Sequence, residues 1–259
     1  IRRLADLLRE PLTRYFRLDV RGLVNVPTGP CVFVGNHNGA MLMPDMFVLG
    51  IALYDRFGLD GLPWGLTHRL ALQVPLVGRT LLRLGTVRGT EHNGLRLLRQ
   101  GRRVLVYPGG ELDSMRSSWE RKRVVFGRRR GYVRLALRAG VPVVPVVTSG
   151  AHETLFVISN GRWLARRLGV DKRLKLCALP LSFSVPWGLW LGVPPPHFPF
   201  PTRIRMRILQ PIRFERTGER AALDGEYVER CHRQIHGPMQ AALVRLADGL
   251  EIEQEKTTT

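Results

Sequence analysis

Acidic residues are scarce in this sequence. Only 21 Asp and Glu stand against 40 Lys and Arg over 259 residues, a formal charge of +19. An imbalance of that size points to an acidic partner. Lysine is scarcer still, because Lys122, Lys172, Lys175 and Lys256 are the whole set. The basic charge is therefore almost all arginine, which codon usage explains as readily as selection for guanidinium chemistry. Cysteine is limited to Cys31, Cys177 and Cys231, odd in number and without a C-x-x-C pair. That excludes a disulfide framework and a zinc site, and it favours a reducing compartment. No uninterrupted apolar stretch opens the chain. Arg2, Arg3, Asp6, Arg9 and Glu10 break up its first sixteen residues, against a signal peptide. The first residue is Ile1, so what precedes it stays open. With 44% apolar and 8% aromatic residues, disordered, collagen-like and low-complexity classes are excluded.

The apolar periodicity alternates between two kinds of element. Leu4, Leu7, Leu8 and Leu12 recur at helical spacing, predicting an amphipathic helix over 1–15. Phe16, Leu18 and Val20 alternate with charged residues as in a half-buried strand. Buried strands are predicted at 31–34, 104–107 and 141–147. Helices are predicted at 44–56, from the Thr90 cap to about Gln100, at 132–139, and in a C-terminal region over 220–252. This order implies an α/β fold whose central, mostly parallel sheet is flanked by helices and carries its site in the loops at strand ends. No repeat or linker divides the chain, so 1–259 reads as one domain.

One segment breaks the pattern. Residues 176–202 contain no Asp, Glu, Lys or Arg but hold Phe183, Trp187, Trp190, Phe198 and Phe200. Their length suits a transmembrane helix. Seven prolines, from Pro180 to Pro201, exclude one. Two readings remain: an apolar membrane-interfacial hairpin, or a proline-rich loop packed on the protein's own core. Flanking basic residues from Arg166 to Lys175 and from Arg203 to Arg207 suit anionic headgroups and favour the first.

Chemistry concentrates at strand ends. Asn36 and His37 leave one strand, and Asp45 lies in the first turn of the next helix. A carboxylate that fixes the imidazole tautomer makes a histidine a general base. In one continuous helix residues 37 and 45 would sit about 12 Å apart, so a catalytic pair requires the loop to fold back. Otherwise the two are a loop histidine and an ordinary helix-start aspartate. Gly109, Gly110 and Glu111 follow a second strand end, where they either admit a ligand to the backbone or form a plain turn. Arg88 holds a phosphate or carboxylate, or is simply solvated. His152 follows a further strand and reads more readily as structural than as a site residue. No G-x-S-x-G elbow, P-loop, dinucleotide fingerprint or metal-ligand set occurs, and Cys31 lies inside a presumed strand.

In order, Val20-Arg21-Gly22-Leu23, Asn36-His37 with a following Asp, Gly85-Thr86-Val87-Arg88, Tyr107-Pro108-Gly109-Gly110-Glu111 and Gly140-Val141-Pro142 resemble the motifs of the phospholipid/glycerol acyltransferase family. The resemblance runs from about Val20 to Ile212. Two departures are similar to the branch containing type-2 diacylglycerol acyltransferases. Leu42 stands where the family's common first motif has Asp, and Gly-Gly-Glu replaces its usual Glu-Gly-Thr.

The resemblance implies a glycerol-3-phosphate acyltransferase-like fold and direct acyl transfer from a thioester to a lipid hydroxyl. His37 would be the base and Asp45 its orienter. Asn36, Arg88, Gly109, Gly110 and Glu111 would bind substrate. The co-substrate would be acyl-CoA or acyl carrier protein, with no metal and no other cofactor. Lysophosphatidate stands slightly ahead as acceptor. Mono- or diacylglycerol, a wax alcohol, or water in an esterase are the alternatives. The protein would sit peripherally or monotopically on an anionic membrane surface at its cytoplasmic face. A nucleic-acid-binding reading of the charge lacks any matching motif and any arginine-interleaved aromatics.

Overall fold

Alternation within the short apolar runs sets the architecture. Val32 and Val34 point into one core and Phe33 into another, Val104 and Val106 are split from Leu105 in the same way, and Val143 and Val147 from Val144 and Val146. Strands buried on both faces need helices on both sides. The computed structural model describes residues 2–38, 43–68, 72–73, 77–169, 178–192 and 197–250. Its main sheet has seven strands: β1 (Asp19–Arg21), β2 (Val32–Gly35), β3 (Trp64–Thr67), β4 (Thr86–Arg88), β5 (Val104–Val106), β6 (Val143–Ser149) and β10 (Arg205–Ile208). Their order is β1-β10-β6-β2-β5-β3-β4. The run from β6 to β4 is parallel, while β10 pairs antiparallel with β6 and parallel with β1.

Helices α1 (Arg2–Phe16) and α2 (Pro44–Phe57) pack on the Phe33 face. Helices α4 (Glu91–Arg99), α6 (Gly131–Ala139), α8 (Glu219–Leu223) and α9 (Gly225–Asp248) cover the other. Two shorter helices, α3 (Val77–Arg83) and α5 (Glu111–Ser114), follow β3 and β5. Thr90 caps α4, its hydroxyl accepting from the Asn93 N–H at 3.2 Å. Helix α1 runs through Phe16, so the alternation starting at Phe16 yields strand only from Asp19. Strands β3, β4 and β10 were not legible as strands. Each is three or four residues long, and Arg205 and Arg207 disguise β10.

Among its described residues the uncharged segment forms no spanning helix; residues 181–191 make a strand hairpin, and 197–202 run without regular structure. Strands β7 (Phe156–Ser159), β8 (Leu181–Ser184) and β9 (Gly188–Leu191) make a separate antiparallel sheet, with α7 (Arg162–Arg167) between the first two. Among the described residues no helix is long and apolar enough to cross a membrane. The expected basic flanks divide. Lys172, Arg173 and Lys175 lie outside the described residues, and Arg207 is buried in β10 with Asp19 at 3.6 Å.

Candidate active site

Strand β2 ends at Gly35, and the next three residues are fastened by polar side chains. Asn36 is fully buried; its Nδ2 donates to the Thr148 carbonyl at 2.9 Å and its Oδ1 accepts the Thr148 N–H at 2.8 Å. That pair continues the β2–β6 ladder past its last rung, Gly35 opposite Val146. Asn36 thus spends both ends of its amide on the backbone of β6. Asn38 is also buried and donates to the Asn36 carbonyl at 3.0 Å. Between them His37 projects its ring.

Asp45 reaches that ring from the first turn of α2, where Pro44 supplies a ready-made φ and the helix N-terminus favours a carboxylate. Its Oδ2 lies 3.4 Å from His37 Nδ1 and accepts the Asn38 N–H at 3.2 Å. The carboxylate is fully buried, and Oδ1 has no partner among the described residues. Residues 37 and 45 do meet, as a pair requires; residues 39–42 between them lie outside the described set. A proton on Nδ1 facing Asp45 leaves Nε2 with its lone pair. The ring stacks on Tyr107, centroids 4.6 Å apart and planes at 26°. Gly35 makes room for that stack: a Cβ there would lie 2.5 Å from Tyr107 Cε1. Burial and the Asp45 charge push the Tyr107 phenol well above its ordinary pKa.

Two site residues escaped the sequence reading. Asp113 is fully buried; its carboxylate accepts the His37 N–H at 2.6 Å and the Val125 N–H at 3.0 Å. Arg116, 1% exposed, donates to Asp113 Oδ1 at 3.1 Å, to the His37 carbonyl at 3.0 Å and to Asn38 Oδ1 at 2.7 Å. Burial raises the Asp113 carboxyl, while Arg116 and the two N–H donors pull the other way. The available signal was their i, i+3 spacing directly after Gly109-Gly110. His152, also buried, is drawn down to about 3 by burial and by the Arg116 charge, so it is a neutral packing group beside the site.

The second motif is held tightly. A Cβ at Gly109 would lie 2.3 Å from Asp113 Cβ, and Gly110 takes φ +50°. Arg129 donates to the Gly109 carbonyl at 2.8 Å and to Glu111 Oε1 at 3.0 Å. Glu111 therefore orders an arginine. Arg88 shares the edge but not the centre. Following the register through Tyr107 and Thr67 puts it level with Gly35 but three strands across, about 14 Å at ordinary strand spacing. It is exposed. Cys31 is buried and its thiol pushed up to about 12, unlike a nucleophile. No group of metal-binding side chains occurs among the described residues. A cavity of about 440 Å³ between α1, β1 and α2, lined by Leu18, Val20, Val48 and Ile51 with Arg9 and Asp55, lies apart from these residues.

Known proteins share this arrangement of sequence. The chain is 26% identical over 244 residues to an uncharacterized protein of Mycobacterium tuberculosis, covering 94% of this chain and 65% of that one. It thus spans just under two thirds of that relative's length. It is 31% identical over 111 residues to the human DGAT1/2-independent enzyme synthesizing storage lipids, covering 43% of this chain and 34% of that protein. The crystal structure of the 1-acyl-sn-glycerophosphate (LPA) acyltransferase PlsC from Thermotoga maritima is similar with a TM-score of 0.48 at 17% identity, over 90% of this chain and 81% of that one. The family model described as Acyltransferase matches residues 17–149, a span that takes in β1 to β6 and with them His37, Asp45, Asp113 and Arg116. With just over half its length in that match, the chain belongs to the Acyltransferase family.

Proposed function

We propose that this chain moves a fatty acyl group from an acyl thioester, carried on coenzyme A or acyl carrier protein, to a hydroxyl of a glycerolipid at a membrane surface. The observation that carries the reading is the approach of His37 Nδ1 to the buried Asp45 at 3.4 Å, with Nε2 left to meet substrate. His37 Nε2 takes the acceptor's hydroxyl proton as its oxygen attacks the thioester carbonyl. Collapse of the tetrahedral adduct breaks the C–S bond, and the departing thiolate recovers the proton from the imidazolium. No acyl-enzyme forms. Asp45 stabilises the imidazolium, and Tyr107 walls one side of the ring. Gly110 and Glu111 edge the acceptor site next to Tyr107.

Purified protein supplied with labelled acyl-CoA and a panel of lipid alcohols tests this. Acylated lipid should accumulate in step with free thiol. Free fatty acid in place of acylated lipid would make the protein an esterase.

For the acceptor, Arg88 and the basic chain favour lysophosphatidate. A neutral glyceride is the second reading, supported by the storage-lipid enzymes and the yeast Diacylglycerol O-acyltransferase 1 among the relatives. Arg88→Ala separates them. A phosphate contact worth about 1.5–3 kcal/mol lowers kcat/KM for lysophosphatidate roughly ten- to a hundredfold and spares diacylglycerol. Equal losses on both acceptors would remove Arg88 from the acceptor site.

A further inference from the structure

In the β7–β8–β9 sheet the usual alternation is inverted. Ser182 and Ser184 are buried, their hydroxyls without partners among the described residues. The neighbouring positions on β8 face outward. Phe156, Phe183 and Leu189 sit opposite one another on one rung, so they share one face, and they are 39%, 43% and 66% exposed. Leu191, opposite Leu181 two residues along on the same face, is 52% exposed. Trp119 extends the row, its ring edge-on to Phe156 at 5.7 Å and 73% exposed. In water a one-residue register slip would hide these side chains and expose the serines. The observed register suits an apolar medium on the outside.

We infer that this face, with Trp119, seats on an anionic lipid bilayer. Three observations favour lipid over a protein partner. No charged residue occurs in β8, β9 or the turn joining them. Trp187, at that turn and 48% exposed, is the residue type that settles at bilayer interfaces. Exposed Arg162, Arg166 and Arg167 on α7, which begins three residues after β7, complement acidic headgroups in a chain of charge +19.

The face is also tied to the catalytic strand end. Ser118 Oγ accepts the Val157 N–H at 2.9 Å, and Ser117 Oγ donates to the Ile158 carbonyl at 3.1 Å. These residues continue directly from Arg116, which also donates to the Glu120 and Arg121 carbonyls. A bilayer under Trp119 therefore sets the height of His37 above the lipid. The inference rests on the lipid setting of the proposed function but not on its chemistry, because binding is measured without substrate.

The full chain is sedimented with phosphatidylglycerol vesicles at about 0.5 M NaCl, where headgroup attraction is largely screened. Wild type should stay bound. Phe183→Ser with Leu189→Ser should lower the partition coefficient about tenfold or more at an unchanged Tm. Brominated acyl chains should quench wild-type tryptophan fluorescence, an effect that Trp119→Phe with Trp187→Phe and Trp190→Phe largely removes. Equal partitioning of the serine variant would overturn the inference, as would absence of quenching. So would a wild-type dimer that the serine substitutions convert to monomer, because a second copy would then cover the face. Retained acyl transfer with lost vesicle binding would leave the chemistry standing, and the reverse would leave the docking face standing.

Discussion

In the proposed reaction the two nitrogens of His37 have different tasks, and substitutions at residues 37 and 45 test them. His37→Ala removes the base and should lower kcat by about 10²–10⁴, the usual worth of positioned proton transfer, with little change in Tm. Retention of more than about a tenth of the rate in a single-turnover assay would reassign the base. Asp45→Asn should be nearly as severe, because the amide no longer stabilises the imidazolium. Arg116→Met predicts a different loss. It strands the Asp113 carboxylate in a dry site and should cost about 3–5 kcal/mol in urea unfolding at pH 7. Burial already raises the Asp113 carboxyl, so in the variant it protonates more readily and the cost should shrink as pH falls. A loss that does not vary with pH would mean that packing, not charge, is what Arg116 contributes. His37 and Asp45 were legible because a strand-end histidine and a helix-start carboxylate are local patterns. Arg116 was not, because its carbonyl and carboxamide partners on residues 37 and 38 are distant in sequence.

At the scale of elements, the end of β2 works because it is thin. Gly35→Ala would drive a methyl into Tyr107 and tilt the ring on which His37 stacks. The expected result is a loss of kcat much larger than the loss of stability, visible as a fall in turnover with a small change in Tm. If Tyr107→Leu in the same background restores turnover, the clash is the cause; an unrestored rate would place the defect in the strand itself. Strands β2, β5 and β6 and helices α2, α4 and α6 could be read from periodicity because each carries an unbroken apolar pattern bounded by Gly, Pro or a capping Thr. Strands β3 and β4 could not, as three or four residues give too little alternation to separate from a loop. Strands β8 and β9 were hidden for another reason. Strand β9 has no polar residue to alternate and β8 alternates over only four residues with its serines inward, so the sequence looks like one uncharged run.

Over the whole molecule, two buried histidines set the response to acid. His152 is lowered to about 3 and His232 to about 4, both chiefly by burial, from an ordinary value of 6.5. The unfolded chain therefore takes up these protons first. Stability from these groups is complete above pH 6.5 and declines as pH falls toward 4 and then 3. His152→Leu should flatten that decline in urea midpoints measured between pH 7 and 4, and an unaltered slope would assign it to other groups. The order of the main sheet has a consequence in time. Strand β10 lies between β1 and β6, so among the described residues β1 has its one sheet partner in residues 205–208. On the ribosome, β1 must wait until residues 205–208 have been made before it finds this partner. Helix α1, with Phe16 and Leu12 facing the same core as β10's Met206 and Ile208, waits with it. Birth order and assembly order are thus reversed for residues 2–21: made well before β10, they are among the last to be secured, and a nascent-chain holdase has a long opportunity there.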